Sequence, residues 1–340
     1  MDAQVLVEVT RAPLVENRHR GHAAVVDHSG RLLYSAGDPH HMTYWRSSAK
    51  PVQALPVVES GAADRYGITD KELALFCASH NGETMHTETV LGILAKIGLG
   101  QEKLQCGNHM PYHEGTTREM LRQGIPATTL HSNCSGKHSG MLTLIAHMGW
   151  DADNYLELEH PLQQTIMDYL SDLCVYPREQ ILIGIDGCGV PVHGLPLSNM
   201  SLAYARFCSP QGMKEERAQA CLRVAKAMMA HPEMVGGTDR FCTDLMKVTK
   251  GRLIGKAGAA GVYSVGIMDE GIGISVKAED GLGRGRDSAT VEILLQLGYI
   301  SLGEAELLAK YHRPKNINHR QEVVGEVVPV VKLHKEDVRI

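Results

Sequence analysis

The sequence has few of the features that mark membrane proteins and nucleic-acid-binding proteins. Only three Phe and two Trp occur among 340 residues, so aromatic platforms on which bases could stack are not expected. No run of about 18 apolar residues occurs, which argues against a membrane-spanning helix. Lysines and arginines form no basic cluster and the formal net charge is -5, so neither nucleic acid nor a membrane is an expected partner.

The features of a secreted protein are also missing. The first 25 residues carry charges at Asp2, Glu8 and Arg11, whereas a secretion signal needs an uninterrupted apolar stretch. The eight cysteines include no Cys-x-x-Cys pair. We therefore expect a cytoplasmic protein with free thiols instead of a disulfide framework. The composition, 43% hydrophobic and 21% charged, is ordinary for a globular protein with a sizeable core.

Both ends of the chain show the periodicity of strands. Val5, Val7 and Val9 alternate with polar residues, which predicts a half-buried strand. Residues 21–27 and 31–35 flank a turn sequence at 27–30 (DHSG), which predicts a hairpin. Further strands are predicted at 180–186 (as a buried strand), 253–257, 262–268, 272–276 and 323–331.

The middle of the chain has mostly helical spacing. One helix is predicted to begin at Ser47 and to end near Glu59, and residues 69–72 and 116–119 match the capping-box pattern. Other helices are predicted at 86–97, 138–147, 161–172, 214–230, 239–248, 288–297 and 303–311.

This order of elements predicts a mixed α/β fold of the α+β kind. We expect a single domain over residues 1–340, in which residues 1–45 and 250–340 form one antiparallel sheet. A mainly helical lobe, residues 46–249, is expected to be inserted between these two parts of the sheet.

A serine and a lysine share the start of the helix predicted at Ser47. Ser47 and Lys50 form a Ser-x-x-Lys sequence, and positions i and i+3 lie on the same helix face. An unprotonated lysine amine there can take the serine proton. The helix N-terminus also favours negative charge that develops on oxygen. The alternative is that Ser47 only caps the helix and Lys50 is solvated.

Two further motifs extend this pattern. Residues 77–82 (CASHNG) contain a Ser-x-Asn, Ser79 and Asn81, and residues 253–258 (LIGKAG) contain a Lys-x-Gly at Lys256. The order Ser-x-x-Lys, Ser-x-Asn, Lys-x-Gly is that of penicillin-recognising acyl-serine enzymes. Two serine–lysine pairs can divide acyl transfer, since one attacks the amide carbonyl and the other holds substrate or passes a proton to the leaving ammonia. The alternative for Ser79 and Asn81 is a turn that satisfies backbone groups.

Two cysteines lie in polar segments and are candidates for metal binding. Cys134 belongs to residues 131–140 (HSNCSGKHSG), and Cys188 follows the strand predicted at 180–186. Both thiols suit a soft divalent ion such as zinc, and the alternative is two buried free cysteines. By chemistry alone the further ligands stay open among His131, His138, His193 and Asp186. The glycine-rich residues 281–286 (GLGRGR) lack the Lys-Ser/Thr of a phosphate loop and predict a flexible turn.

In combination these motifs resemble one enzyme family, the class 3 or Rhizobium etli type of L-asparaginase. The resemblance rests on residues 45–51 (WRSSAKP), 77–83 (CASHNGE), 133–138 (NCSGKH), 186–191 (DGCGVP), 231–237 (HPEMVGG) and 255–258 (GKAG). It implies a serine-β-lactamase-like fold and a homodimer. It also implies hydrolysis of L-asparagine to L-aspartate and ammonia.

The resemblance further implies roles for individual residues. Ser47 with Lys50 and Ser79 with Lys256 would be the catalytic pairs, and a zinc ion would be held by Cys134, Lys137 and Cys188. A lysine amine is an unusual ligand because the metal must displace its proton, so a zinc that orients substrate or tunes charge is expected. We expect substrate contacts from Arg46, Asn81, Asp186 and His138.

Arg46 is the candidate for the substrate α-carboxylate. Its guanidinium can grip a carboxylate through two parallel hydrogen bonds, although a surface arginine beside a helix start is the alternative. Two other functions stay open. One is a penicillin-recognising hydrolase or peptidase on the same scaffold, and the other is a zinc-stabilised binding domain without catalysis.

Overall fold

The computed structural model describes residues 2–336, which form two compact units. Among these residues the first unit comprises 2–48, 195–209 and 244–336, and the second comprises 49–194 and 210–243. The segment 195–209 therefore belongs to the sheet-bearing unit, whereas the sequence placed it within the helical lobe. A single domain over the whole chain stays a prediction.

The strands lie mainly in the first unit. They are β1 (Gln4–Arg11), β2 (Leu14–Asp27), β3 (Leu32–Ala36), β4 (Met42–Tyr44), β5 (Leu182–Ile185), β6 (Pro191–Pro196), β7 (Leu253–Ala257), β8 (Val262–Ile267), β9 (Ile272–Ala278), β10 (Lys315–Ile317), β11 (Val323–Pro329) and β12 (His334–Lys335).

The helices lie mainly in the second unit. They are α1 (Lys50–Glu59), α2 (Ala62–Arg65), α3 (Asp70–Phe76), α4 (Thr84–Lys96), α5 (Glu114–Gln123), α6 (Ser135–Met148), α7 (Pro161–Cys174), α8 (Leu197–Cys208), α9 (Glu215–Ala230), α10 (Pro232–Val235), α11 (Phe241–Thr249), α12 (Gly283–Gln296), α13 (Leu302–Leu307) and α14 (Ala309–His312). None of the helices described is long and apolar enough to cross a membrane.

An antiparallel sheet organises the first unit. Its strands follow the order β10-β11-β1-β2-β9-β8-β7, and β3 pairs with β2 and β12. Strand β1 pairs with β11, so both ends of the chain build this sheet. The predicted hairpin turn at 27–30 is present, with Gly30 in the left-handed region at φ 91°. The predicted mixed α/β fold is therefore confirmed.

Helices cover both faces of this sheet. On one face α8 approaches so closely that a Cβ at Gly273 would collide with the Ser201 carbonyl. On the other face α12 leaves no room for a Cβ at Gly285 beside His19. Val26 pairs with Gly273, and His19 lies seven positions earlier in β2. Because side chains alternate between faces, an odd spacing puts these contacts on opposite sides.

Helix ends in the second unit test the two predicted capping boxes. The first is confirmed, because the Thr69 hydroxyl and the Glu72 carboxylate each accept the other's backbone N–H at the start of α3. The second, at residues 116–119, is wrong. Helix α5 begins at Glu114, and the His113 Nδ1 accepts the Thr116 N–H at 3.2 Å. An imidazole nitrogen therefore performs the capping that a hydroxyl was expected to provide.

Two other local predictions need correction. The strand expected at 180–186 exists as β5, but it is not buried, and Ile185 is 84% exposed. An unbroken apolar run is typical of a buried strand, and the chain gave no sign that this one lies open to solvent. The glycine-rich residues 281–286 are only partly a turn, since α12 already begins at Gly283.

Candidate active site

Close packing of α3 against α6 positions the main cluster of functional side chains. A Cβ at Gly136 would collide with the Leu75 carbonyl, and one at Gly140 would lie 2.7 Å from the Phe76 ring. These two glycines, one helical turn apart, let the backbones approach. As a result Ser79, three residues after the end of α3, comes to the side of Cys134, the N-cap of α6.

Lys50 is the centre of this cluster. It is the first residue of α1 and is only 2% exposed. Its Nζ lies 3.0 Å from the Ser79 Oγ, 2.5 Å from the Ala78 carbonyl oxygen and 3.2 Å from the Cys134 Sγ. A lysine and a serine are therefore within the distance needed for proton transfer. The contact joins Lys50 to Ser79, whereas the sequence paired Lys50 with Ser47.

His80 holds the segment that carries Ser79. The Gly82 N–H donates to its Nδ1 at 3.1 Å, so its Nε2 carries the proton and faces the Ser135 Oγ at 3.0 Å. Burial, with the nearby His86, keeps the pKa of His80 well below its usual value, so the ring is neutral. Sequence reasoning missed this role because His80 occupies the variable position of Ser-x-Asn.

Cys134, Cys188 and Lys137 form a buried group of two sulfurs and one amine. Lys137 Nζ lies 2.9 Å from the Cys188 Sγ. A hydrogen bond from Cys188 holds the pKa of the Cys134 thiol well below its usual value despite burial, and the cations of Lys50 and Lys137 act in the same direction. The N-terminus of α6 also favours a thiolate at its cap.

The same group raises the pKa of Lys137. Burial opposes its charged form, yet the Cys188 and Cys134 sulfurs together outweigh it. The Cys188 thiol has a raised pKa, because it shares a hydrogen bond with Cys134 and is buried. Without a metal, therefore, the group holds one thiolate beside the Lys137 cation. Two soft sulfurs and one amine at contact distance fit a zinc ion, which would displace the remaining protons.

Two buried histidines border this group. His138 Nδ1 lies 2.7 Å from the Tyr155 hydroxyl, and the buried ring also interacts with the Cys188 thiol. The His193 Nε2 is buried without a hydrogen-bond partner among the residues described. Burial, with the charge of Lys137, lowers the pKa of both histidines to about 4. Both rings are thus neutral near pH 7 and suited to contact a metal or a substrate.

The other predicted residues of this segment have structural tasks. His131 caps a short 3-10 helix, since its Nδ1 accepts the Thr128 N–H at 3.0 Å. Asp186 forms the tight turn between β5 and β6, where its carboxylate accepts the Gly187 N–H at 2.7 Å. This turn fixes the backbone beside Cys188, and the Asp186 charge contributes to the raised pKa of Lys137.

The Asn81 side chain forms hydrogen bonds within the second unit. Its Nδ2 donates to the Thr238 carbonyl at 2.7 Å and to Glu83, and its Oδ1 accepts from Arg240 at 2.8 Å. The sequence predicted a substrate contact here. The observed bonds make Asn81 a connection between its own loop and the segment that carries Arg240.

The first unit holds the remaining predicted residues. Ser47 lies half-buried in a 3-10 helix, Arg46–Ala49, and Arg46 has a left-handed φ of 54°. The Ser48 Oγ donates to the Lys256 carbonyl at 2.9 Å, and a Cβ at Gly258 would lie 2.9 Å from the Trp45 carbonyl. The segment that carries Ser47 is therefore held against the end of β7.

Lys256 itself is fully buried in β7. Its Nζ donates to the Ala257 carbonyl at 2.7 Å. The predicted pairings of Ser47 with Lys50 and of Ser79 with Lys256 stay predictions.

A second group in the first unit has ligand atoms spaced for a cation. Nitrogen or oxygen atoms of His22, His41 and Glu279 lie within 4.8 Å of one another. However, the Asp38 N–H donates to the His22 Nδ1 at 2.9 Å. In the neutral ring the proton then sits on Nε2, which faces Glu279 at 3.3 Å. This tautomer opposes metal binding through His22.

A cavity in the second unit lies beside the Ser79–Asn81 segment. Its volume is about 470 Å³, and its lining includes Gly82, His113, Glu119 and His131. Of the residues predicted for the site only the candidate ligand His131 is in its described lining, so the cavity does not locate the chemistry.

Sequence comparison identifies the family. The model of the L-asparaginase II family matches residues 7–329, and the chain belongs to this family. It is therefore an asparaginase-like amidohydrolase. Among curated proteins, no sequence matches this chain.

Solved structures resemble the chain only distantly. A β-lactamase from Mycobacterium bovis is 13% identical with a TM-score of 0.42, over 86% of this chain and 95% of the other. Mglu is 13% identical with a TM-score of 0.39, over 83% of this chain and 62% of its own. An L-glutamate binding form of Mglu gives 15% identity and a TM-score of 0.38, over 85% of this chain and 61% of Mglu. At these scores the likeness assigns no substrate to this chain.

Proposed function

We propose that this protein is an L-asparaginase that hydrolyses the side-chain amide of L-asparagine to L-aspartate and ammonia. The observation that carries the proposal is the buried contact of Lys50 Nζ with Ser79 Oγ at 3.0 Å. The match to the L-asparaginase II family over residues 7–329 supports the substrate class.

The proposed chemistry begins at Ser79. A serine hydroxyl is too weak to attack an amide unless a base removes its proton, and the Lys50 Nζ is at the right distance to act as that base. The alkoxide would attack the amide carbon, and the C–N bond would break as ammonia takes up a proton. Water would then cleave the acyl-serine and release L-aspartate. Ser47 and Lys256, the other members of the predicted Ser47–Lys50 and Ser79–Lys256 pairs, are proposed to hold substrate or to supply the proton to ammonia.

Zinc is proposed at Cys134, Lys137 and Cys188, whose donor atoms fit a soft divalent ion. When bound there, zinc would supply positive charge next to Lys50, which lies 3.2 Å from the Cys134 Sγ. Asn133, the residue before Cys134, helps to fix the loop that carries Ser79, because its carbonyl accepts the His80 N–H at 3.2 Å. The substrate contacts of His138, Asp186, Asn81 and Arg46 stay predictions. A homodimer and a cytoplasmic location likewise stay predictions.

Ammonia release from L-asparagine tests the proposal. We expect Ser79→Ala to lower kcat/KM by at least about 10³-fold, and Ser47→Ala to lower it strongly as well. The matched control is Ser60→Ala, at the exposed end of α1, which should retain wild-type activity. Folded, zinc-loaded protein that releases no ammonia would reject the proposal. A stable acyl adduct with a β-lactam, seen by intact mass, would then favour the penicillin-recognising alternative.

A further inference from the structure

A second loop of the second unit runs along the segment that carries Ser79. The Ser79 N–H donates to the Val235 carbonyl at 3.0 Å, and Asn81 Nδ2 donates to the Thr238 carbonyl at 2.7 Å. Glu83 completes the connection by accepting the Thr238 N–H at 2.8 Å. Residues 235–240, here called the bracing loop, are thus fixed relative to the serine at both ends.

The bracing loop depends on backbone conformations that few residues accept. Gly237 has φ 97°, and a Cβ there would lie 2.7 Å from the Glu83 carboxylate. Asp239 adopts a left-handed φ of 56°, which is costly for a residue other than glycine. Arg240 follows Asp239, so the bracing loop places the Arg240 guanidinium beside Asn81.

Arg240 is a cation without a carboxylate partner among the residues that the structure describes. One N–H donates to the Asn81 Oδ1 at 2.8 Å, and the guanidinium stands 5.8 Å from the centre of the Tyr112 ring. A guanidinium has five N–H donors, so most of them remain for a ligand. The side chain is half-buried, which strengthens an ion pair compared with one in open solvent.

The separation between Arg240 and Ser79 suits a small amino-acid amide. Ser79 and Asn81 are two positions apart, so their Cα atoms are at most about 7 Å apart. Because Arg240 contacts the Asn81 side chain, its guanidinium lies on the order of 10 Å from the Ser79 hydroxyl. In a four-carbon amino-acid amide the amide carbon and the carboxylate carbon are at most about 4 Å apart. The contact of the serine oxygen with the amide carbon and the contact of the carboxylate with the guanidinium account for the remaining distance. An arginine matches a carboxylate better than a lysine does, because its fork donates two parallel hydrogen bonds.

We infer that Arg240 binds the α-carboxylate of the substrate and restricts the site to amides of free amino acids. The inference rests on the proposed function and assigns to Arg240 the contact that the sequence suggested for Arg46. Asn81 then acts as a positioning residue, since its Oδ1 orients the guanidinium while its Nδ2 is tied to the bracing loop.

Binding of the product L-aspartate tests the inference without relying on turnover. Calorimetric titration with L-aspartate is compared with titration with β-alanine, which has the same atoms except the α-carboxylate. We expect Arg240→Met to weaken L-aspartate binding about 10- to 100-fold and to leave β-alanine binding unchanged. Arg240→Lys, which retains the charge but not the fork, should fall between. Arg118→Met, on the exposed face of α5, is the control and should bind like the wild type.

Each other outcome overturns the inference. Equal losses of affinity for L-aspartate and β-alanine would mean that Arg240 only supports the loop. Unchanged binding of L-aspartate in both Arg240 variants would mean that the carboxylate binds elsewhere. Loss of L-aspartate binding in Arg46→Met alone would mean the same. No binding of L-aspartate by the wild type would also reject it. Ammonia release from L-asparagine separates the two proposals. Arg240-dependent binding without turnover rejects the asparaginase alone, and turnover with Arg240-independent binding rejects the inference alone.

Discussion

The two buried lysines of the proposed site have different surroundings. Lys50, in the second unit, contacts a hydroxyl, a carbonyl and a sulfur, and the sulfur belongs to the proposed zinc group. Lys256, in the first unit, extends from β7, and within that unit its Nζ donates to the carbonyl of its own neighbour Ala257. Both are nearly inaccessible to solvent. Burial alone therefore does not define a catalytic lysine, because the partner atoms decide which proton the amine can take.

Removal of each amine in turn should give the largest difference between the two lysines. We expect Lys50→Met to lower kcat/KM for L-asparagine by about 10³-fold or more, because Ser79 loses the base at 3.0 Å. Lys256→Met should cost less, on the order of 10- to 100-fold, if it only assists the leaving group. Ammonia release by the two variants, with melting curves to check folding, measures the difference. Equal losses, or a larger loss for Lys256→Met, would reverse the assignment of the main base.

Zinc content tests whether the surroundings of Lys50 include a metal site. Cys188→Ala should weaken zinc binding by at least about 100-fold, because changes around a ligand already cost about 10- to 100-fold. Cys106→Ala is the matched control. Cys106 is also buried, but its Sγ donates to the Thr129 carbonyl at 3.5 Å, and it is not one of the three proposed ligands. Metal analysis after dialysis against a chelator measures both. Wild-type zinc content in Cys188→Ala would remove this cysteine from the metal group.

A smaller effect is expected in the first unit, where backbone contact sets the position of Ser47. Gly258→Ala would bring a Cβ to 2.9 Å from the Trp45 carbonyl, so the segment must shift. We expect a loss of about tenfold in kcat and about 1–3 kcal/mol in the free energy of unfolding, as for other overpacked sites. Gly303→Ala has no atom within 4 Å and should be close to neutral in activity. Ammonia assays and urea unfolding check both, and a fully active Gly258→Ala would show that this contact does not position Ser47.

Sequence patterns predicted the fold class and most of its elements. Alternation at the chain ends gave the sheet, and 3.6-residue spacing gave the helices, because both patterns are local. Two predictions that depended on the three-dimensional surroundings of a segment were wrong. Residues 181–185 (ILIGI) contain no polar side chain, and only the structure shows that β5 is exposed. The cap at His113 was missed because an imidazole is a less common helix cap than a hydroxyl.

The same division holds for the candidate site. The sequence by itself determined which chemical groups are present, since Ser79, Lys50, Cys134 and Cys188 lie in specific motifs. Only the tertiary structure decided that Lys50 contacts Ser79, although 29 positions separate them in the chain. Arg240 lies outside every chemical motif and comes to Asn81 through the bracing loop. The physical reason is that proton transfer and ion pairing act over a few ångströms in space, whereas a sequence pattern records only neighbours along the chain.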